Sequence, residues 1–317
     1  MTAPYAPKRR ARSLWFDVRG LRYHALLWGE LEAASERRPL RVMMHGWMDV
    51  GASFQFVVDG LDPSAPVLAA DWRGFGRTAN PGADAYWFPD YVGDLDALLD
   101  AVSPHAPVDL MGHSMGGNVV MGYAGVRQPR VRRLVNLEGF GMPDTPADDA
   151  PARLQRWLDE LKAPERLRDY DSLEAVAQRL RQTNPRLQPE RAAWLAAQWA
   201  EEIPTGQPGQ PWQPGQPGGR WRLRADPAHK RVNPIPYRAA EAVAMWRRIS
   251  APVLWIEGRD SRPPAAWGDR YPRAEFEARL GMVPRLQRVL IDDAGHMLHH
   301  DQPEAVAAAI EPFLAAD

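Results

Sequence analysis

The chain has 317 residues, of which 45% are hydrophobic and 25% are charged, so it can bury a sizeable core in one large domain with an insertion. Its 39 basic and 40 acidic residues give a formal net charge of -1, which argues against nucleic acid or an anionic membrane as a partner. The absence of cysteine excludes disulfides, thiolate catalysis and cysteine-ligated metals. No run approaches ~18 apolar residues and no signal peptide is recognisable, so we expect a soluble, cytoplasmic protein.

Strands and helices alternate after a short N-terminal arm. Residues 1–13 carry prolines and charges with little to bury, and they are predicted to be disordered. Apolar runs predict strands at 14–18, 21–28, 40–44, 66–70, 108–111, 131–137, 253–256 and 286–291. Helical spacing predicts helices at 53–61, 91–102, 115–127, 239–249 and 273–280, with a last helix after Asp301. This order predicts an α/β fold, a mostly parallel central sheet flanked by helices, over 14–142 and 238–317.

The alternation stops between residues 143 and 237, where no strand of the buried type is evident. The sequence Asp-Ser-Leu-Glu at 171–174 has the form of a capping box, and Pro189 suits the first turn of a helix. The Gly/Pro/Gln-rich segment 206–219 is typical of a solvated loop of polyproline type. The region is therefore predicted to be a helical insertion with an irregular tip.

A serine lies at the turn between the predicted strand 108–111 and the helix that follows it. The local sequence is G-H-S-M-G, with Ser114 at its centre. A serine at such a turn has a strained backbone and close neighbours, so only very small residues fit at Gly112 and Gly116. The turn exposes the hydroxyl and leaves the amide of Met115 at a helix N-terminus, where it can bind a developing oxyanion.

A serine nucleophile needs a base, and the base needs a carboxylate to orient it. His296 follows the last strand, in a loop made flexible by Gly295, and is the predicted base. Asp260, which follows the strand at 253–256, is the first choice for the acid. Glu138 follows the strand at 131–137 and is the rival. All of these positions lie at the carboxyl ends of sheet strands, where ligands bind in open α/β sheets.

These motifs and their order resemble the α/β-hydrolase family. They are G-H-S-M-G around Ser114, H-G-W-M-D at 45–49, D-W-R-G-F-G at 71–76, G-R-D at 258–260 and A-G-H at 294–296. The run 221–227 loosely resembles a little-characterised serine-hydrolase-like branch. The resemblance implies that Trp47 supplies a second oxyanion amide beside that of Met115. It also implies that 143–237 forms a helical cap over the site.

The predicted function is a serine hydrolase that cleaves a small, mostly apolar carboxylic ester through an acyl-enzyme. Haloalkane dehalogenases and epoxide hydrolases of the family carry aspartate at the position of Ser114, so those two classes are not expected. An aminopeptidase-like enzyme, a lactonase and a carbon–carbon bond hydrolase are alternatives on the same fold, and Glu138 as an anchor for a substrate amine would favour the peptidase. A slow or non-catalytic ligand-binding protein is the alternative from another class.

The expected partner is a small-molecule substrate, and neither a cofactor nor a metal is expected. His299 and His300 would point about 100° apart on a helix, which is poor geometry for one metal ion. The five tryptophans of the insertion form its own core, or one or two of them line an apolar acyl pocket together with Trp47 and Phe140. The oligomeric state stays open.

Overall fold

Eight strands form one central sheet in the computed structural model, which describes residues 3–163, 166–203, 219–262 and 265–316. The described residues contain eleven strands in all: β1 (Arg12–Val18), β2 (Leu21–Trp28), β3 (Arg41–Met44), β4 (Val67–Ala70), β5 (Val108–His113), β6 (Val131–Leu137), β7 (Asp169–Tyr170), β8 (Ala200–Ile203), β9 (Arg220–Leu223), β10 (Val253–Gly258) and β11 (Leu286–Ile291). The sheet order is β1-β2-β4-β3-β5-β6-β10-β11. The pairs β1/β2 and β2/β4 are antiparallel, and the pairs from β4 to β11 are parallel.

Helices cover both faces of this sheet. They are α1 (Gln55–Val58), α2 (Phe88–Val102), α3 (Met115–Val126), α4 (Ala150–Lys162), α5 (Leu173–Thr183), α6 (Pro189–Trp199), α7 (Ala239–Trp246), α8 (Arg273–Leu280), α9 (Leu298–Asp301) and α10 (Pro303–Ala315). Successive side chains of a strand point to opposite faces, so Leu110 of β5 joins the core under α2 and α3, and Met111 joins the core under α1 and α10. Burial on both faces explains the continuous apolar runs, and the predicted fold class is confirmed.

The N-terminal arm differs from the predicted disorder. Tyr5 packs edge-on against Phe56 of the core and Trp194 of α6, with ring centroids 5.1 and 5.5 Å away. The Tyr5 hydroxyl donates to Asp59 at 2.5 Å, and the same carboxylate accepts the backbone amide of Arg9 at 3.1 Å. These partners lie some 50 positions or more along the chain, so the composition of the arm alone could not reveal them.

The insertion contains the helices α4, α5 and α6 together with a small antiparallel sheet of order β7-β9-β8. The side-chain hydroxyl of Ser172 accepts the amide of Ala175 at 3.1 Å and so caps α5. The strands β7–β9 were not predicted from the sequence, because they have only two to four residues and are mostly half-buried or exposed. The predicted polyproline-type loop 206–219 lies outside the described residues, except for Gly219.

Asp94 of α2 is fully buried and binds the loop that follows β4. Nε and Nη2 of Arg73 donate to its two oxygens at 2.5 and 2.6 Å. The hydroxyl of Tyr23 donates to the same carboxylate, and Nη1 of Arg19 does so at 3.0 Å. One carboxylate thus joins α2, β2 and the loop at the carboxyl end of β4.

Across the described ranges, none of the helices has both the length and the apolar character needed to cross a membrane.

Candidate active site

Ser114 stands at a sharp turn between β5 and α3. Its φ of 52° and ψ of -115° lie outside the regions that L-residues ordinarily occupy. A Cβ built on Gly112 would lie 2.4 Å from the carbonyl oxygen of Gly116, and one on Gly116 would lie 2.1 Å from that of Met44. Neither glycine can carry a side chain, which is the close packing expected of this motif. The helix starts at Met115, so the amide of Met115 has no acceptor within the helix.

The imidazole of His296 bridges Ser114 and a carboxylate. Its Nε2 lies 3.0 Å from Oγ of Ser114, and its Nδ1 lies 2.7 Å from Oε2 of Glu138. A carboxylate accepts, so Nδ1 carries the proton and Nε2 is left to accept the serine hydroxyl. The three side chains form one continuous hydrogen-bonded chain, with its serine end partly exposed and its carboxylate end buried.

Glu138 is held rigidly at the carboxyl end of β6. Its backbone has a positive φ of 58°, which turns the side chain toward the neighbouring strand β10. Oε1 accepts the amide of Gly258 at 2.7 Å, and Oε2 accepts the hydroxyl of Ser261 at 2.5 Å as well as His296. Ser261 is not predictable from the sequence, because no motif marks it and its role depends on where the side chain of Glu138 points.

This geometry corrects the prediction that Asp260 is the acid that orients His296. Its side chain is 49% exposed and pairs with Arg186 of the insertion at 2.6 Å. Asp260 lies two residues beyond the end of β10, and its carboxylate accepts a hydrogen bond from Arg186 rather than from His296. Glu138 follows β6, which is hydrogen-bonded directly to β5 and therefore lies closer to Ser114. Glu138, the rival candidate, is thus the carboxylate that hydrogen-bonds His296.

The loop after β3 abuts the serine. A Cβ on Gly46 would lie 3.2 Å from Cβ of Ser114. His45, which is fully buried, fixes this loop: its Nδ1 donates to the carbonyl of Gly46 at 2.7 Å and its Nε2 accepts the amide of Trp72 at 2.9 Å. Burial lowers the pKa of His45 and keeps the ring neutral in this tautomer. Trp47 follows directly, with its side chain 53% exposed.

The interpretation of Phe140 as a pocket residue is wrong. Phe140 is buried against Trp255 and Phe276, with ring centroids 5.2 and 4.9 Å away, and belongs to the sheet core. The tryptophans Trp194 and Trp199 of the insertion also have structural contacts. Trp194 packs on Tyr5 and Phe56, and Nε1 of Trp199 donates to Asp49 at 2.9 Å. Trp212 lies outside the described residues.

His229 joins the insertion to the core. Its ring stacks between Phe75 and Tyr86, with centroid distances of 3.6 and 3.5 Å. Next to it, Asp226 accepts the hydroxyl of Tyr86 at 2.8 Å, and the carbonyl of His229 accepts Nε1 of Trp47 at 3.3 Å. Burial lowers the pKa of His229 to about 3. The exposed side chain of Trp47 is therefore positioned by this contact between the two parts of the chain.

The free energy of unfolding is expected to fall between pH 7 and pH 5. The unfolded chain protonates His229 near its ordinary pKa of 6.5, whereas the folded protein resists protonation down to a pKa of about 3. The contribution of the neutral His229 ring to the free energy of unfolding is therefore fully present above about pH 6.5. It is lost as pH falls, and the loss reaches about 2 kcal/mol at pH 5. Urea unfolding at both pH values measures the loss. His229→Phe keeps a ring in the stack and should lose about 2 kcal/mol less; an equal loss in both proteins contradicts the prediction.

Comparisons with known proteins agree with this architecture. A sequence profile described as the alpha/beta hydrolase fold matches residues 41–303. The chain is 24% identical to a serine hydrolase-like protein of Danio rerio over 302 residues, 90% of this chain and 86% of that one. It is 28% identical over 283 residues to the 3-hydroxybutyrate-oligomer hydrolase of Cupriavidus necator, covering 87% and 88% of the two chains. A crystal structure of a hypothetical protein of Pseudomonas aeruginosa PAO1 superposes with a TM-score of 0.79 at 24% identity, over 96% of this chain and 99% of that one.

Proposed function

The chain belongs to the α/β hydrolase fold family and is a hydrolase, and on that premise we propose that it cleaves a small, mostly apolar carboxylic ester with Ser114 as nucleophile. The observation that carries the proposal is the hydrogen-bonded chain from Ser114 through His296 to the buried Glu138. A strained serine, an oriented imidazole and a fixed carboxylate are the parts that nucleophilic acyl transfer requires.

In the proposed reaction, Oγ of Ser114 attacks the ester carbonyl while Nε2 of His296 takes the serine proton. Glu138 stabilises the imidazolium that forms. His296 then gives its proton to the departing alcohol oxygen, which leaves an acyl-enzyme on Ser114. A water molecule, deprotonated by His296, attacks the acyl carbon and releases the carboxylic acid and the free serine.

The oxyanion of each tetrahedral intermediate is assigned to the backbone amides of Met115 and Trp47. Met115 is the first residue of α3, where the helix dipole adds a favourable field. Trp47 comes directly after Gly46, which lies against Ser114. Loss of one such donor typically costs ~10²–10³ in rate.

The preference for an apolar ester is supported by what surrounds the nucleophile. The exposed ring of Trp47 and the half-buried Met115 provide apolar surface next to Ser114. The relative from Cupriavidus necator is named for hydrolysis of 3-hydroxybutyrate oligomers, and hydroxy-acid oligomers are joined by ester bonds. An aminopeptidase that anchors a substrate amine on Glu138 is not supported, because both oxygens of this buried carboxylate already accept protein donors.

A second serine offers a matched control for the nucleophile. Oγ of Ser13 on β1 lies 2.9 Å from Nε2 of His24, whose Nδ1 lies 2.8 Å from Asp71. Ser13 therefore has the same kinds of partner as Ser114. It lies within a regular antiparallel strand, however, and does not precede a helix that could offer an amide to an oxyanion.

Labelling with a fluorophosphonate and turnover of p-nitrophenyl esters from acetate to longer chains test the proposal. We expect one label per chain, located on Ser114 by peptide mass spectrometry, together with turnover that peaks at one acyl length. Ser114→Ala should lose both, and Ser13→Ala should keep both. Labelling that persists in Ser114→Ala contradicts the assignment. Labelling without ester turnover would favour a lactone or a carbon–carbon bond as substrate, and a folded protein with neither would favour a ligand-binding role.

A further inference from the structure

Behind the nucleophile lies a group of buried polar side chains that the proposed hydrolysis does not use. Asp49 belongs to the loop after β3, His113 is the last residue of β5, and His299 lies in α9. All three are at most 3% exposed. One potential metal-ligand atom from each side chain lies within 4.8 Å of the other two.

These side chains have polar atoms that make no hydrogen bond with the described part of the chain. Nε2 of His113 donates to the carbonyl of His296 at 2.8 Å, so its Nδ1 carries a lone pair without a donor. Oδ1 of Asp49 accepts three donors, whereas Oδ2 accepts none, and neither ring nitrogen of His299 is bonded. Nε2 of His299 is 3.8 Å from Oδ2 of Asp49, beyond hydrogen-bond range. Leaving a buried polar atom unpaired is unfavourable, so a cluster of such atoms favours the binding of a further species that satisfies them.

We infer that Asp49, His113 and His299 form a binding site for one divalent transition-metal ion of the zinc class. Two imidazoles and one carboxylate are donors that zinc prefers, at ~2.0–2.2 Å. Tetrahedral geometry places such donors ~3.3 Å apart, so the 3.8 Å pair of Asp49 and His299 must approach by about 0.5 Å, and the other pairs, which lie within 4.8 Å, by at most about 1.5 Å. The fourth position is left for water.

Occupation of this site would slow catalysis, a consequence that rests on the proposed function. The ring of His113 lies 5.0 Å from that of His296, centroid to centroid, and hydrogen-bonds its backbone carbonyl. A divalent cation held by His113 would therefore oppose the positive charge that His296 acquires in each step. Zinc is expected to inhibit ester hydrolysis without competing with the ester.

Titration of the EDTA-treated protein with Co²⁺, followed by its visible absorption, tests the site without any substrate. We expect one Co²⁺ per chain and its displacement by Zn²⁺. Asp49→Asn keeps an acceptor for the donors on Oδ1 but removes the charge, and His299→Gln removes an imidazole. Each should weaken Co²⁺ binding at least about tenfold. Circular dichroism checks that both variants are folded. If Asp49→Asn does not fold, His299→Gln alone decides the test.

Two further variants separate this site from other sources of binding. His296→Asn removes the catalytic imidazole and should bind Co²⁺ as the parent does. His105→Gln removes an exposed histidine of a surface loop and should also leave binding unchanged. Loss of binding in either variant, retained binding in both Asp49→Asn and His299→Gln, or no binding by the parent protein would overturn the inference. The absorption titration decides the site even if no ester is hydrolysed, so its outcome is independent of the proposed function.

Discussion

Glu138→Gln is expected to lower kcat for ester hydrolysis by ~10³–10⁴, with little change in KM. Glutamine nearly matches glutamate in size, so the contacts with Gly258 and Ser261 can persist, but it carries no charge to stabilise the imidazolium of His296. Its amide can also donate to Nδ1 and so favour the tautomer whose Nε2 cannot accept the serine proton. Steady-state kinetics on the best p-nitrophenyl ester measure the effect.

Asp260→Asn is the matched control, because Asp260 was the acid favoured from the sequence. Its carboxylate is half exposed and bonded to Arg186, and a solvated ion pair of this kind contributes only ~0–1 kcal/mol. We expect kcat to stay within about fivefold of the parent value, a change that this energy permits. A greater loss of kcat in Asp260→Asn than in Glu138→Gln would return the role of the acid to Asp260.

Asp94→Ala is expected to lower the free energy of unfolding by about 3–5 kcal/mol. The substitution removes two short hydrogen bonds between Asp94 and the buried guanidinium of Arg73, which keeps only its longer ion pair with Asp90 at 3.4 Å, and it removes the acceptor of the Tyr23 hydroxyl. Hydrogen bonds to a charged group contribute ~1.5–3 kcal/mol each, and the loop after β4 should loosen when they are lost. Urea unfolding at neutral pH measures the change.

The same helix supplies the control for Asp94. Asp100 also pairs with an arginine, at 3.3 Å from Nη2 of Arg130, but its side chain is largely exposed. Asp100→Ala should therefore cost less than about 1 kcal/mol. Similar losses in the two variants would show that burial of the carboxylate is not what makes Asp94 important.

The central sheet and the serine turn were predictable from the sequence because their signals are local. Buried strands leave apolar runs, and the turn at Ser114 needs glycines at fixed offsets. The features that distinguish Glu138 from Asp260 as the acid are not local in the sequence. Both follow strands that end at the same edge of the sheet, and the positive φ of Glu138 and the ion pair of Asp260 with Arg186 decide which carboxylate reaches His296.

The cluster of Asp49, His113 and His299 is likewise not predictable from local sequence signals. Its members come from a loop, a strand end and a short helix, so no spacing along the chain marks them as neighbours. The sequence draws attention to His299 only together with its neighbour His300, and it gives no reason to expect a metal ion. Side chains that meet through the fold alone become visible only when buried polar atoms are counted in three dimensions.

Tyr5 packs between α1 and α6, so the first residues of the chain contribute to the contact between the core and the insertion. A protein shortened to begin at Arg12 would keep every strand of the central sheet but lose the ring that packs on both Phe56 and Trp194. It would also leave Asp59 without three of its donors. Purification tags and truncations at this end therefore alter the contacts between the insertion and the core.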